Sequence, residues 1–147
     1  WHGDDTWLIP PIRKENVTNV EEVVMSAYAA FGSKDMDSLA KLNHPDCKYE
    51  MHVRHALSGK YEGFPNLLEG ILSRLNEAWP GFTQSIDKVV SNETNVWVFC
   101  TCTADGGLGG KAVHSFVVKD GFQLSFNIFW DNEYCGKNSK IWGDCTN

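Results

Sequence analysis

The chain has no apolar run approaching the roughly 18 residues that a membrane span needs, and no cluster of basic residues. Thirteen Lys and Arg stand against nineteen Asp and Glu, a net charge of -6. Binding of nucleic acid or an anionic membrane calls for a clustered basic excess, so neither partner is expected. Cysteine never occurs as Cys-x-x-Cys. The five present, Cys47, Cys100, Cys102, Cys135 and Cys145, hold no second pair at metal-ligand spacing, so neither a metal nor another cofactor is indicated. Disordered and low-complexity classes are excluded by a chain that is 42% hydrophobic and 12% aromatic. Its 147 residues suit one domain with a sizeable core. Six Trp and eight Phe are a heavy aromatic load that needs a place to go.

The first residue is Trp1, which reads as a mature or trimmed product. Two glycosylation sequons occur, at Asn16 ahead of a helix and at Asn92 in the polar Ser91–Asn95 turn. With cysteines in the tail, these point to a secreted protein. Cys135–Cys145 is then the first disulfide expected, and one thiol stays free or pairs between chains. The alternative is five reduced, mostly buried cysteines inside a cell.

Residues 1–19 lack periodicity and form an extended arm. Thr18 and Glu21 have capping-box spacing, and Val20, Val23, Val24, Ala27, Tyr28 and Phe31 fall on one helical face, so a helix is expected over Thr18–Phe31. Asp35 or Asp37 can cap a short second helix that His44-Pro45-Asp46 breaks. A strand over Cys47–Val53 follows, then a Ser58-Gly59 turn and a short strand at Lys60–Glu62. Pro65 opens a third helix, striped with Leu68, Ile71, Leu72, Leu75 and Trp79. Four strands complete the chain: Phe82–Val90, Val96–Ala104, Lys111–Val118 and Phe122–Trp130. Lys119-Asp120-Gly121 is a hairpin signal between the last two. Helices first and an antiparallel meander after is an α+β layout.

In the last strand, Phe122, Leu124, Phe126, Ile128 and Trp130 alternate with Gln123, Ser125 and Asn127. Val96–Ala104 sets Val96, Val98, Cys100 and Cys102 on one side, but Trp97 and Phe99 on the other. Lys111–Val118 is also apolar on both faces. Helices cover one face of a sheet, so a homodimer or higher homo-oligomer would cover the other.

The order of elements, His44-Pro45-Asp46 and Leu57-Ser58-Gly59-Lys60-Tyr61-Glu62-Gly63 resemble the SnoaL-like polyketide cyclase family, relatives of ketosteroid isomerase within the nuclear-transport-factor-2-like superfamily. The resemblance covers about Val20 to Trp130. It implies a cone domain over 20–131, with a 132–147 tail outside it: a curved antiparallel sheet wrapped on three N-terminal helices around a mostly apolar cavity. In ketosteroid isomerases a first-strand carboxylate is the base; that position here is Met51. The oxyanion-hole Tyr falls at Ala27, beside Tyr28, and the protonated Asp at His114. A steroid-isomerase mechanism is therefore not expected.

Lying mid-strand among apolar neighbours, His114 is the candidate acid or base, with Tyr28 beside it. It also reads as a core His satisfied by one hydrogen bond. His52 and His55 could join Asp46 at a metal only across two faces of a strand, so no metal site is expected. Ser58 is a turn residue, since no GxSxG elbow surrounds it. The leading expectation is binding of a small apolar or aromatic molecule, which could be a pigment, by Tyr49, Met51, Phe116, Phe126, Ile128 and Trp130. The alternatives are an isomerase, cyclase or dehydratase using His114 with Tyr28 or Tyr49, and a secreted structural subunit of an assembly. Trp1, Trp7 and Trp142 lie outside the family match.

Overall fold

A computed structural model describes residues 8–9, 19–52, 57–105 and 108–130. Within them β1 (Leu8–Ile9) precedes α1 (Asn19–Gly32), α2 (Met36–Lys41), β2 (Asn43–His52) and β3 (Gly59–Glu62). Next come α3 (Phe64–Gly70), a 3₁₀ turn at Leu72–Arg74 and α4 (Leu75–Ala78). The chain then runs β4 (Thr83–Ser91), β5 (Asn95–Ala104), β6 (Leu108–Lys119) and β7 (Phe122–Trp130). The strands form one sheet in the order β1-β4-β5-β6-β7-β2-β3. This is the α+β architecture expected, with helices ahead of a curved sheet. Most of the 1–19 arm and all of the 132–147 tail lie outside the described residues, and with them Asn16, Cys135, Cys145, Trp1, Trp7 and Trp142.

The sheet is not antiparallel throughout. β2 runs parallel to β7, with Tyr49 opposite Phe126 and Met51 opposite Ile128; β1 runs parallel to β4. Parallel neighbours need a long crossover, and the helices and meander between β2 and β7 supply it. β2 also starts earlier than expected and takes in His44-Pro45-Asp46. Its register slips between Asn43 and Lys48, and such a bulge tolerates a proline that cannot donate to the ladder.

The third helix breaks in two at Ile71, whose φ of -125° leaves the helical region. The ring of Tyr61 occupies the space that a side chain at residue 70 would take, and its hydroxyl donates to the Leu57 carbonyl at 2.6 Å. Gly70 thus brings α3 close over β3, at a helix-propensity cost of about 1 kcal/mol. Asp120 and Gly121 both have positive φ, 53° and 83°, as a type I′ hairpin requires. Glu21 is buried and accepts the Ser91 hydroxyl, which fastens α1 to the end of β4.

Alternation sorts the sheet. Val96, Val98, Cys100 and Cys102 of β5 are buried, as are Ala112, His114, Phe116 and Val118 of β6. Each large apolar side chain so buried contributes roughly 1.5–3 kcal/mol. β7 departs from simple alternation, because its pairing with β6 shifts between Val117 and Val118. This irregularity turns Gln123 inward with Ile128 and Trp130, and leaves Phe122 41% exposed. The core has two parts. One joins α2, α3 and α4 to β2 and β7; the other joins α1 to β5 and β6. Phe126 packs against both.

Candidate functional site

α1 and β6 meet at Tyr28 and His114. Tyr28 follows Val24 by one helical turn and shares its buried face; His114 lies two residues after buried Ala112. The Tyr28 hydroxyl hydrogen-bonds Nδ1 of His114. Burial raises Tyr28 well above the ordinary phenol value and lowers His114 to about 3. Both are therefore neutral at pH 7. Nδ1 pairs with the Tyr28 hydroxyl, and Nε2 lies 3.9 Å from Cys100 Sγ. A group so arranged is a poor base at neutral pH, since proton transfer favours a pKa near the working pH.

A cavity of about 90 Å³ lies between helices and sheet, several times the roughly 10–15 Å³ that one water needs. Ala27 and Phe31 of α1, Phe64 and Leu67 of α3, and Leu72 form its helical wall. On the sheet side Met51, Phe116, Phe126, Ile128 and Trp130 line it, together with Tyr28 and His114. Met51 brings no titratable group to this wall. Tyr49 stands behind this wall: it is buried, and its hydroxyl donates to Asn43 Oδ1 at 2.9 Å.

Three polar wall residues escape sequence reasoning: Asn43, Gln84 and Gln123. Asn43 is engaged on both sides, as it also donates to the Leu39 carbonyl at 2.7 Å. Gln84 Nε2 donates to Cys102 Sγ at 3.6 Å. Gln123 Nε2 and Trp130 Nε1 are buried with no hydrogen-bond partner among the described residues. Among the described residues, no Asp, Glu, Lys or Arg lines the cavity.

Elsewhere, His52 lies exposed, stacked on Phe129 at 4.5 Å, and the Asp46 amide donates to His44 Nδ1. His55 lies outside the described residues. Among those described, no three His, Cys, Asp or Glu side chains converge. Ser58 donates to the Met51 carbonyl at 2.6 Å. Cys47, Cys100 and Cys102 are buried and unbridged. No described helix is long and apolar enough to cross a membrane.

The family model of the SnoaL-like domain matches residues 24–124. The chain belongs to the SnoaL-like domain family. Solved structures place this SnoaL-like domain among NTF2-like folds. TerC, co-crystallised with polyporic acid, is 21% identical, with 78% of this chain and 92% of that one covered at a TM-score of 0.70. An NTF2-like protein of unknown function from Burkholderia pseudomallei K96243 is 18% identical over 85% and 100% of the two chains, with a TM-score of 0.74. Bal32a, from a soil-derived mobile gene cassette, is 22% identical over 80% and 92%, with a TM-score of 0.71. At such identities the likeness is one of fold. A comparison with curated proteins finds no match to this SnoaL-like domain.

Proposed function

We propose that this domain binds a small, largely apolar or aromatic molecule in its cavity. The observation that carries the reading is an apolar cavity whose Tyr28 and His114 are neutral and mutually hydrogen-bonded. The TerC structure supports it by analogy, since that protein of like fold was crystallised with polyporic acid. Trp130 lies on the wall, so titration with polyporic acid should quench tryptophan fluorescence. Solvent extraction of protein from its native source, followed by mass spectrometry, should release a bound molecule. No quenching and an empty extract together sink the proposal.

Contact between Tyr28 and His114 at the wall also favours a second reading, an isomerase, cyclase or dehydratase that uses the pair. His114→Asn would then abolish turnover of any substrate found, and unchanged turnover would dismiss this reading.

We further propose a homodimer through the outer sheet face. Lys88, Phe99, Val113, Phe129 and His52 stand in one row across the strands, with Phe99 39% and Phe129 45% exposed. Lys88 ends this row, and Glu50 lies beside His52 at the other end, 3.7 Å away. A copy related by a two-fold axis would set each Lys88 over the opposite Glu50. Sedimentation should report a dimer that Phe129→Arg dissociates; a monomeric wild type refutes it. Secretion is likewise proposed, on the exposed Asn92. Its Oδ1 accepts the Thr94 and Asn95 amides, which leaves the amide nitrogen without a partner among the described residues. Glycosidase treatment of native protein that yields no mass change at Asn92 would remove this support.

A further inference from the structure

Among the described residues, Cys102 is the one thiol on the cavity wall. Alternation along β5 puts it on the inner face together with Cys100, and the two are 2% and 1% exposed. Its side chain is a methylene and a sulfur, so the thiol stands at the wall itself. On β6 the residue opposite is Gly110, which sets no side chain beside the sulfur. On β4 it is Gln84, whose Nε2 donates to Cys102 Sγ at 3.6 Å.

These neighbours favour negative charge on one sulfur. Hydrogen bonding from Cys100, helped by the Gln84 amide, lowers the Cys102 thiol from its ordinary value although burial opposes it. Cys100 moves the other way, raised first by the same hydrogen bond and then by burial. A thiolate is the reactive form of cysteine, and structural cysteines in apolar surroundings shift upwards instead. Burial does this to Cys47, pushed up to about 11. No charged residue among those described lines the wall, so a reaction that left an ion there would be costly. Addition of a thiol to a conjugated alkene leaves none.

We propose that Cys102 is a covalent attachment point for a small, uncharged α,β-unsaturated carbonyl compound that enters the cavity. This attachment rests on the cavity-binding reading above and narrows its ligand to a reactive class. Cys102 Sγ bonds the β carbon, the C=C π pair shifts towards the carbonyl, and the thiol proton ends on the α carbon. One S–H and one π bond are exchanged for one C–S and one C–H bond, with no oxidant needed. The Gln84 amide stabilises the charge that gathers on sulfur as the S–H bond breaks. A space of about 90 Å³ admits such a group: 3-buten-2-one has five non-hydrogen atoms, against six for the benzene that an apolar cavity of about 150 Å³ accepts.

Reduced full-length protein is treated with 3-buten-2-one at pH 7, and the adduct at each cysteine is followed by peptide mass spectrometry. Held beside the bound alkene, Cys102 should react at least about tenfold faster in native than in urea-unfolded protein. A sulfur that is merely buried gives the reverse order, and that result overturns the proposal. The saturated twin 2-butanone should slow the native reaction at Cys102 and at no other cysteine. Gln84→Leu should slow it about 3- to 10-fold, and Cys102→Ser should abolish it, with circular dichroism checking the fold of each variant. Saturation-transfer NMR with 2-butanone reads occupancy of the cavity without the thiol. If 2-butanone binds and Cys102 stays unmodified, attachment is overturned while cavity binding stands. If neither ketone engages the native protein, both fall.

Discussion

The Tyr28 hydroxyl hydrogen-bonds Nδ1 of His114, so a side-chain bond ties the first helix to the middle of β6. Tyr28→Phe leaves a buried ring nitrogen without its hydrogen-bond partner. Stability should fall by about 1–3 kcal/mol, measured by urea denaturation at pH 7. Adding His114→Leu should cost less than the sum of the two single changes, because both remove the same bond. Strict additivity would mean that the pair does not interact.

Acid should unfold this protein through His114. Its folded pKa is about 3, depressed by burial from the ordinary 6.5. Between these values the unfolded chain binds the proton and the folded chain does not. The stabilising contribution is therefore fully present above pH 6.5, and is lost as pH falls towards 3. The full shift corresponds to on the order of 5 kcal/mol. The ring is faced by Tyr28, Cys100, Phe116 and Phe126, which bring no carboxylate to hold its charge. A His114→Gln variant should show a flatter decline between pH 7 and pH 4 in urea melts. A slope equal to wild type would assign the decline to other groups.

Gln123→Leu should raise the stability of the ligand-free protein by up to about 1 kcal/mol, because it removes a buried donor that has no acceptor. A rise in melting temperature is the signature to seek. A drop in melting temperature would mean that the amide has a protein partner.

Gly70→Ala should destabilise, although alanine is the better helix former. The new methyl meets the ring of Tyr61, which the Leu57 carbonyl holds in place. Overpacking of this kind costs about 1–3 kcal/mol. Gly70→Ala paired with Tyr61→Ala should recover part of that loss in thermal melts, and no recovery would place the strain elsewhere.

Much of the fold was legible where one local rule governs. Periodicity found α1 and the buried row Val96, Val98, Cys100 and Cys102, and Asp120-Gly121 marked its turn. The misses occur where distant chain decides. Nothing local to β2 says that it will run parallel to β7. The register shift that turns Gln123 inward depends on how β6 pairs with β7, so strict alternation placed that residue outside. At Gln84, between Thr83 and Ser85, the local sequence is polar on both faces and offers no contrast. His114 and Tyr28 could be named separately; that one would bond the other depends on the angle of α1 across the sheet.

The irregular pairing at Val117 and Val118 makes β7 a strand with a phase. Ahead of the slip, odd-numbered Gln123 lines the cavity; beyond it, even-numbered Phe126, Ile128 and Trp130 do. The cavity's chemistry at that end is therefore written in backbone spacing as much as in side-chain identity. Removing one residue near the turn would exchange an amide for Phe122 or Leu124 without any substitution. A one-residue deletion there would thus change the wall at one end while leaving every other wall residue as it is.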